Sequence, residues 1–130
     1  MHKYKTVLFF VTIFFGSCFQ IFDEPKTSLV ISLQNPGKTK KGVVFQSSGN
    51  ATVGLSLHVS ILSFESKSLG SEVGNTFIVD GNHGATRLDS SSINLKWISN
   101  DNLQIKYDKK LRSFLKNSKV NGVKIIYVTN

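Results

Sequence analysis

The feature that most constrains the fold is the alternation of apolar and polar residues in "LSLHVSIL", residues 55–62. A period of two indicates a half-buried β-strand, because successive side chains of a strand lie on opposite faces. The aliphatic residues of one face are Leu55, Leu57, Val59 and Ile61. The opposite face carries serines and His58, which we expect to be exposed or hydrogen-bonded by a neighbouring strand.

Short segments of similar character recur along the chain, separated by turn-forming residues. They cover residues 28–33, 43–45, 75–80, 93–107 and 122–128. Each such strand has one apolar face to cover, and the connections are rich in glycine, asparagine and serine. The pattern predicts a mainly antiparallel, all-β fold. We expect a small sandwich or curled sheet of six to seven short strands.

The stretch "INLKWISNDNLQIKY", residues 93–107, predicts a β-hairpin around the turn formers "SND". One strand places Ile93, Leu95 and Trp97 on the same face. The other strand does so with Leu103, Ile105 and Tyr107. Because the aromatic residues are in phase with the aliphatic ones, we expect them to pack in the core or on a sheet face. An aromatic binding platform is the alternative.

The segment "DKKLRSFLKN", residues 108–117, predicts at most one short helix of one or two turns. Asp108 is a suitable cap for the amino-terminal end of such a helix. Its apolar residues, Leu111, Phe114 and Leu115, then lie on one side.

The amino terminus has the three parts of a secretory signal. "MHKYK" is basic, residues 7–15 form a nine-residue apolar run, and "GSC" supplies small residues. A helix that crosses a bilayer needs about 20 mostly apolar residues, so a cleaved signal is favoured over a membrane-spanning helix. We predict a signal peptide over residues 1–17, a tether over 18–27 and a single β domain over 28–130.

The residues before the only cysteine resemble the processing box of bacterial lipoproteins. Gly16 and Ser17 match the family, whereas Phe15 stands where leucine is usual. The resemblance implies that Cys18 is acylated, becomes the first residue and anchors the chain to a membrane. The alternative is a thiol that packs in the signal or remains free after cleavage nearby. With one cysteine, the chain forms no internal disulfide.

Several stretches between residues 49 and 127 also resemble a family of small, uncharacterised bacterial exported proteins. They are "GNATVGLSLHVSIL", "GNTFIVDGNHG", "INLKWISNDNLQIKY" and "VNGVKIIY". The resemblance implies a bacterial origin and a location in the cell envelope. It implies no particular activity.

The segment "VDGNHGATRLD", residues 79–89, is the best candidate for a ligand-binding loop. Its polar side chains are Asp80, Asn82, His83, Arg87 and Asp89. Such a loop can hold a hard cation through its oxygens or use a histidine and an aspartate in acid–base chemistry. It lacks the closing glutamate of an EF-hand, and the chain has no nucleophile motif. We favour a tight turn with positive φ at Gly81 and Gly84, and predict no catalytic residue, metal or cofactor.

The formal net charge is +8, with lysines scattered along the chain. Export makes a nucleic-acid partner unexpected, and the predicted partners are a membrane, through the lipid anchor, and an envelope protein. We therefore expect a lipid-anchored envelope protein with a non-catalytic binding or structural role. One alternative is an inhibitor or immunity-type lipoprotein with an exposed apolar patch. The other is a small hydrolase or metal-dependent enzyme, in which His83, Asp80 and Asp89 converge in a pocket.

Overall fold

A computed structural model describes residues 26–48, 54–67 and 73–130, which form two β-sheets. The strands are β1 (Lys26–Gln34), β2 (Lys40–Ser48), β3 (Leu55–Ser63), β4 (Phe77–Asp80), β5 (Ile93–Ser99), β6 (Asn102–Tyr107), β7 (Arg112–Lys116), β8 (Lys119–Val120) and β9 (Val123–Thr129). The strand orders are β1-β2-β3-β4-β7 and β5-β6-β9-β8. Among the strands of these described residues, only β6 and β9 pair in parallel. The mainly antiparallel, all-β fold is thus confirmed.

The hydrophobic core lies between the two sheets. The five-stranded sheet contributes the buried residues Val44, Leu57, Val59, Ile61, Phe77 and Val79. The four-stranded sheet contributes Ile93, Leu103, Ile105, Val123 and Ile125. The apolar face predicted for residues 55–62 and the predicted hairpin over residues 93–107 are therefore confirmed. Trp97 and Tyr107 pack against this core, as their phase predicts.

The prediction of a short helix within residues 108–117 is wrong. The amide of Leu111 donates to the carbonyl of Asp108 at 3.0 Å, which closes a turn, and β7 follows and pairs with β4. Leu111 is buried, whereas Phe114 is 59% exposed, so these residues do not share one packed side. Pairing with β4 satisfies the backbone across a whole strand, and this outweighs the local helical pattern.

The described residues form nine strands, whereas the sequence predicts six to seven. The two additional strands are β7 and β8. β8 is only two residues long and forms a tight hairpin with β9. Asn121 and Gly122 connect them with positive φ angles of 51° and 81°. Positive φ at both positions is typical of the two-residue turn that matches the twist of a hairpin.

Polar contacts join the β1–β2 turn to the β5–β6 turn at one end of the sandwich. The side-chain amide of Asn35 donates to the carbonyl of Asn100 at 3.2 Å, and Asn100 Oδ1 accepts from the amide of Gly37 at 2.7 Å. The indole of Trp97 donates to the carbonyl of Leu33 at 2.9 Å. These bonds fix the edge of one sheet to the edge of the other.

The amino-terminal predictions lie almost wholly outside the described residues. The predicted signal over residues 1–17, Cys18 and all but the last two residues of the 18–27 tether precede β1. β1 begins at Lys26, two residues before the predicted start of the β domain. In the part of the chain that the structure describes, no helix is long and apolar enough to cross a bilayer.

Candidate functional site

An aspartate–arginine pair anchors the candidate loop at the end of β4. Asp80 lies opposite Arg112 in the pairing of β4 with β7. Arg112 Nε donates to Asp80 Oδ1 at 3.1 Å, and Nη2 donates to Oδ2 at 2.6 Å. This two-point geometry gives strong, directional hydrogen bonds. The hydrogen bond from Arg112 is the main cause that lowers the pKa of Asp80, so its carboxylate is ionised at neutral pH.

Arg112 also contacts the histidine of the loop. Its Nη1 lies 2.9 Å from His83 Nε2. A guanidinium has only donors, so His83 must accept this bond with its Nε2 lone pair. The imidazole is therefore neutral in this arrangement, with its proton on Nδ1. Arg112 thus bridges Asp80 and His83.

The turn after β4 is left-handed over three residues. Asn82 and His83 both have φ of 57°, and Gly84 has φ of 86°. Gly84 behaves as predicted, whereas Gly81 does not adopt positive φ. A Cβ on Gly81 would lie 2.8 Å from the carbonyl oxygen of Thr86, so close backbone approach accounts for this glycine.

Hydrogen bonds hold this turn in place. The amide of Asn82 donates to Asp80 Oδ1 at 2.8 Å, a local bond typical of aspartate in turns. The Asn82 side chain donates to the carbonyl of Lys110 at 3.2 Å. Hydrogen bonds therefore join the loop to β4 and to the turn that precedes β7.

Arg87 and Asp89 lie apart from the other three predicted residues. Asp89 Oδ1 accepts from the amide and the hydroxyl of Ser91, at 2.9 and 2.6 Å, and these two bonds lower the pKa of Asp89. Arg87 and Asp89 line a polar cleft of about 230 Å³ that also contains Lys106.

A second cleft, of about 420 Å³, is lined by Asp80, His83 and Arg112 together with Leu55 and Leu88. Asp80 and His83 thus line this second cleft, whereas Arg87 and Asp89 line the first. The structure brings Asp80, Asn82 and His83 together but places Asp89 elsewhere, so the three-residue convergence that the enzyme alternative requires is absent.

The sequence pattern gave no indication of Arg112, the residue that organises the second cleft. Its partner Asp80 ends a predicted strand, and a strand interpretation of residues 112–116 would have offered the pairing. Across residues 26–48, 54–67 and 73–130, no group of three or more histidine, cysteine, aspartate or glutamate side chains is placed to hold a metal ion.

His58 is buried rather than exposed on the second face of β3. Its Nδ1 accepts from the amide of Gly74 at 3.0 Å, and its Nε2 lies 3.0 Å from the hydroxyl of Ser56. The ring stacks on Phe45 with centroids 5.0 Å apart. Burial lowers the pKa of His58, which favours the neutral ring that these contacts require.

Comparisons of the chain with protein-family models, curated proteins and solved structures found no match. The resemblances of the processing box and of residues 49–127 to bacterial families remain predictions.

Proposed function

We propose that the chain is an exported protein of the bacterial envelope, anchored by a lipid on Cys18, with a non-catalytic binding or structural role. The basic start, the short apolar run over residues 7–15 and the small residues Gly16 and Ser17 support export and acylation. The lipid holds the β domain at a membrane surface, and the tether gives it limited reach.

The observation that supports the non-catalytic role is that the polar side chains of the candidate loop form hydrogen bonds within the protein. Both carboxylate oxygens of Asp80 accept from Arg112, and His83 Nε2 accepts from the same guanidinium. A general base needs a free lone pair within reach of a substrate proton. A hydrolase centred on His83 is therefore less well supported than a loop that shapes a binding surface.

Fractionation of cells that express the wild type, Cys18→Ala or Ser17→Ala tests the anchor. Ser17→Ala keeps a small residue before the cysteine and serves as the matched control. We expect the wild type and Ser17→Ala to be found in the membrane fraction and to enter the detergent phase in a detergent phase separation. Cys18→Ala should leave the membrane or accumulate with its signal uncut. Equal behaviour of the cysteine variant and the wild type contradicts the proposal.

One observation favours the inhibitor or immunity-type alternative. β7 forms an edge of the five-stranded sheet, and Phe114 on this strand is largely exposed. The guanidinium of Arg112 lies 4.8 Å from the centre of the Phe114 ring. An edge strand with an exposed aromatic residue can receive a partner strand. If this function is correct, Phe114→Ser should abolish capture of the partner, whereas Val73→Ser, at another exposed apolar residue, should not.

A further inference from the structure

The outer face of the four-stranded sheet is basic. Each of its strands contributes one exposed lysine, and we call this set the basic face: Lys96, Lys106, Lys119 and Lys124. These lysines alternate with residues that point into the core. β5, β6, β8 and β9 contain no aspartate or glutamate.

The charges of the basic face are not neutralised within the described residues. The ion pair that the structure shows between those residues is Arg112–Asp80, which belongs to the other sheet. The nearest acidic residues in sequence are Asp101 and Asp108, at the two ends of β6. Asp108 accepts hydrogen bonds from the amide of Lys110 and the hydroxyl of Thr86. The face is therefore free to attract anions.

The lysines are spread over two dimensions rather than along one line. Lys96 lies opposite Gln104, which lies opposite Ile126, and Lys119 lies opposite Lys124. With strands about 4.8 Å apart and about 3.3 Å per residue, the four lysines span roughly 15 Å across the strands and about 13 Å along them. This distribution fits a flat array of negative charges better than a single polymer strand. Partly exposed aliphatic residues of β9 between the lysines suit contact with lipid.

We propose that the basic face lies against the headgroups of anionic phospholipids. Its location rests on the proposed lipid anchor, because acylated Cys18 would place the domain at a bilayer. Residues 19–25 reach at most about 25 Å, and packed sheets lie about 10 Å apart. The tether is therefore long enough for the four-stranded sheet to face the membrane. Each lysine near such a surface strengthens binding roughly fivefold.

The test uses the full chain, purified in detergent and reconstituted with vesicles. Gln104→Cys places a fluorophore at the centre of the basic face. Ser32→Cys, on the outer face of the other sheet, is the control. Vesicles of phosphatidylcholine alone, or mixed equally with phosphatidylglycerol, carry a quencher on a headgroup. Labelling of the parent chain shows separately whether the thiol of Cys18 is free.

With vesicles that contain the anionic lipid, we expect strong quenching at Gln104→Cys and weak quenching at Ser32→Cys. The strong quenching at Gln104→Cys should be absent with neutral vesicles and should be lost in high salt. The combined change Lys96→Gln, Lys106→Gln and Lys124→Gln should reduce quenching at position 104 to the level of position 32. The matched combination Lys67→Gln, Lys109→Gln and Lys110→Gln removes the same charge elsewhere and should preserve quenching.

Equal quenching at the two labelled positions, or equal quenching in neutral and anionic vesicles, overturns the proposal. Equal loss of quenching in the two triple variants also overturns it. The same holds if the basic face binds an acidic protein but not anionic vesicles. A free Cys18 thiol refutes only the anchor. In that case the proposal for the basic face is supported if the full chain binds anionic vesicles through these lysines, and it is refuted if the chain does not.

Discussion

Arg112 and Asp80 face each other across β7 and β4 and share two hydrogen bonds, of 3.1 and 2.6 Å. The same guanidinium reaches His83. The pair therefore joins the edge strand of one sheet to the candidate loop. Because a carboxylate is needed for this geometry, the contact has a defined dependence on pH.

The pKa of Asp80 lies below its ordinary value of 3.8 in the folded chain. The pair therefore contributes stability that is complete above the unfolded pKa and is lost as pH falls through the folded pKa. In urea unfolding across the acid range, we expect Asp80→Asn to lose less free energy of unfolding below about pH 4 than the wild type does. Asp101→Asn, at an exposed turn, is the control. An identical acid profile for Asp80→Asn and the wild type contradicts the role of the pair.

Asn35 is fully buried and organises the contact between the two turns. Its Oδ1 accepts from the amides of Thr39 and Lys40, and its Nδ2 donates to the carbonyl of Asn100. We expect Asn35→Ala to lower the free energy of unfolding by about 2 kcal/mol, because buried backbone groups lose their partners. Thermal or urea unfolding measures the change. Asn94→Ala, at an exposed position, should change it little, and similar small effects from both variants argue against the buried network.

The pKa of His58 is lowered by burial from the ordinary value of 6.5. Below pH 6.5 the unfolded chain binds a proton that the folded chain excludes. The free energy of unfolding should therefore decrease as pH falls from 6.5 towards the folded pKa. His58→Gln should flatten this slope, whereas His83→Gln should retain it. A wild type with constant stability between about pH 7.5 and 5 contradicts the assignment.

Gly74 is packed against the same histidine. A Cβ at this position would lie 2.8 Å from His58 Cβ and 3.0 Å from the carbonyl oxygen of Val59. We expect Gly74→Ala to destabilise the chain by about 1–3 kcal/mol, because the backbone must shift to admit the methyl group. Gly84→Asn is the control, since asparagine tolerates positive φ and a Cβ there meets no neighbour within 4 Å. A neutral Gly74→Ala would show that this contact is loose.

Local periodicity predicted the parts of the fold in which one face is apolar. The strand over residues 55–62 and the hairpin over residues 93–107 both alternate clearly, and both bury the predicted face. β7 was missed because the apolar residues of "RSFLK", Phe114 and Leu115, are adjacent and do not alternate with polar ones, and because the strand depends on pairing with β4. β8 was missed because two residues carry no period, although the Asn121-Gly122 turn beside it is a hairpin signal.

The candidate site was predicted only in part, because proximity in sequence does not fix proximity in space. Asp80, Asn82 and His83 are close neighbours in one turn, and they stay together. Arg87 shares its cleft with Lys106 and Asn130, which lie 19 and 43 positions further along the chain. Arg112 reaches Asp80 across 32 positions through strand pairing. Only a correct strand assignment for residues 112–116 could have predicted that contact.

The amino terminus of the mature protein shows whether the signal is cleaved before Cys18 and whether Cys18 is acylated. Mass spectrometry of the protein from a membrane fraction should identify a first peptide that begins at Cys18 and carries a diacylglyceryl group on sulfur. We expect no chain that begins at Met1 in this fraction. Recovery of the full 130-residue chain, unmodified and dissolved in the cytosol, would contradict both the anchor and the proposed place of this protein in the envelope.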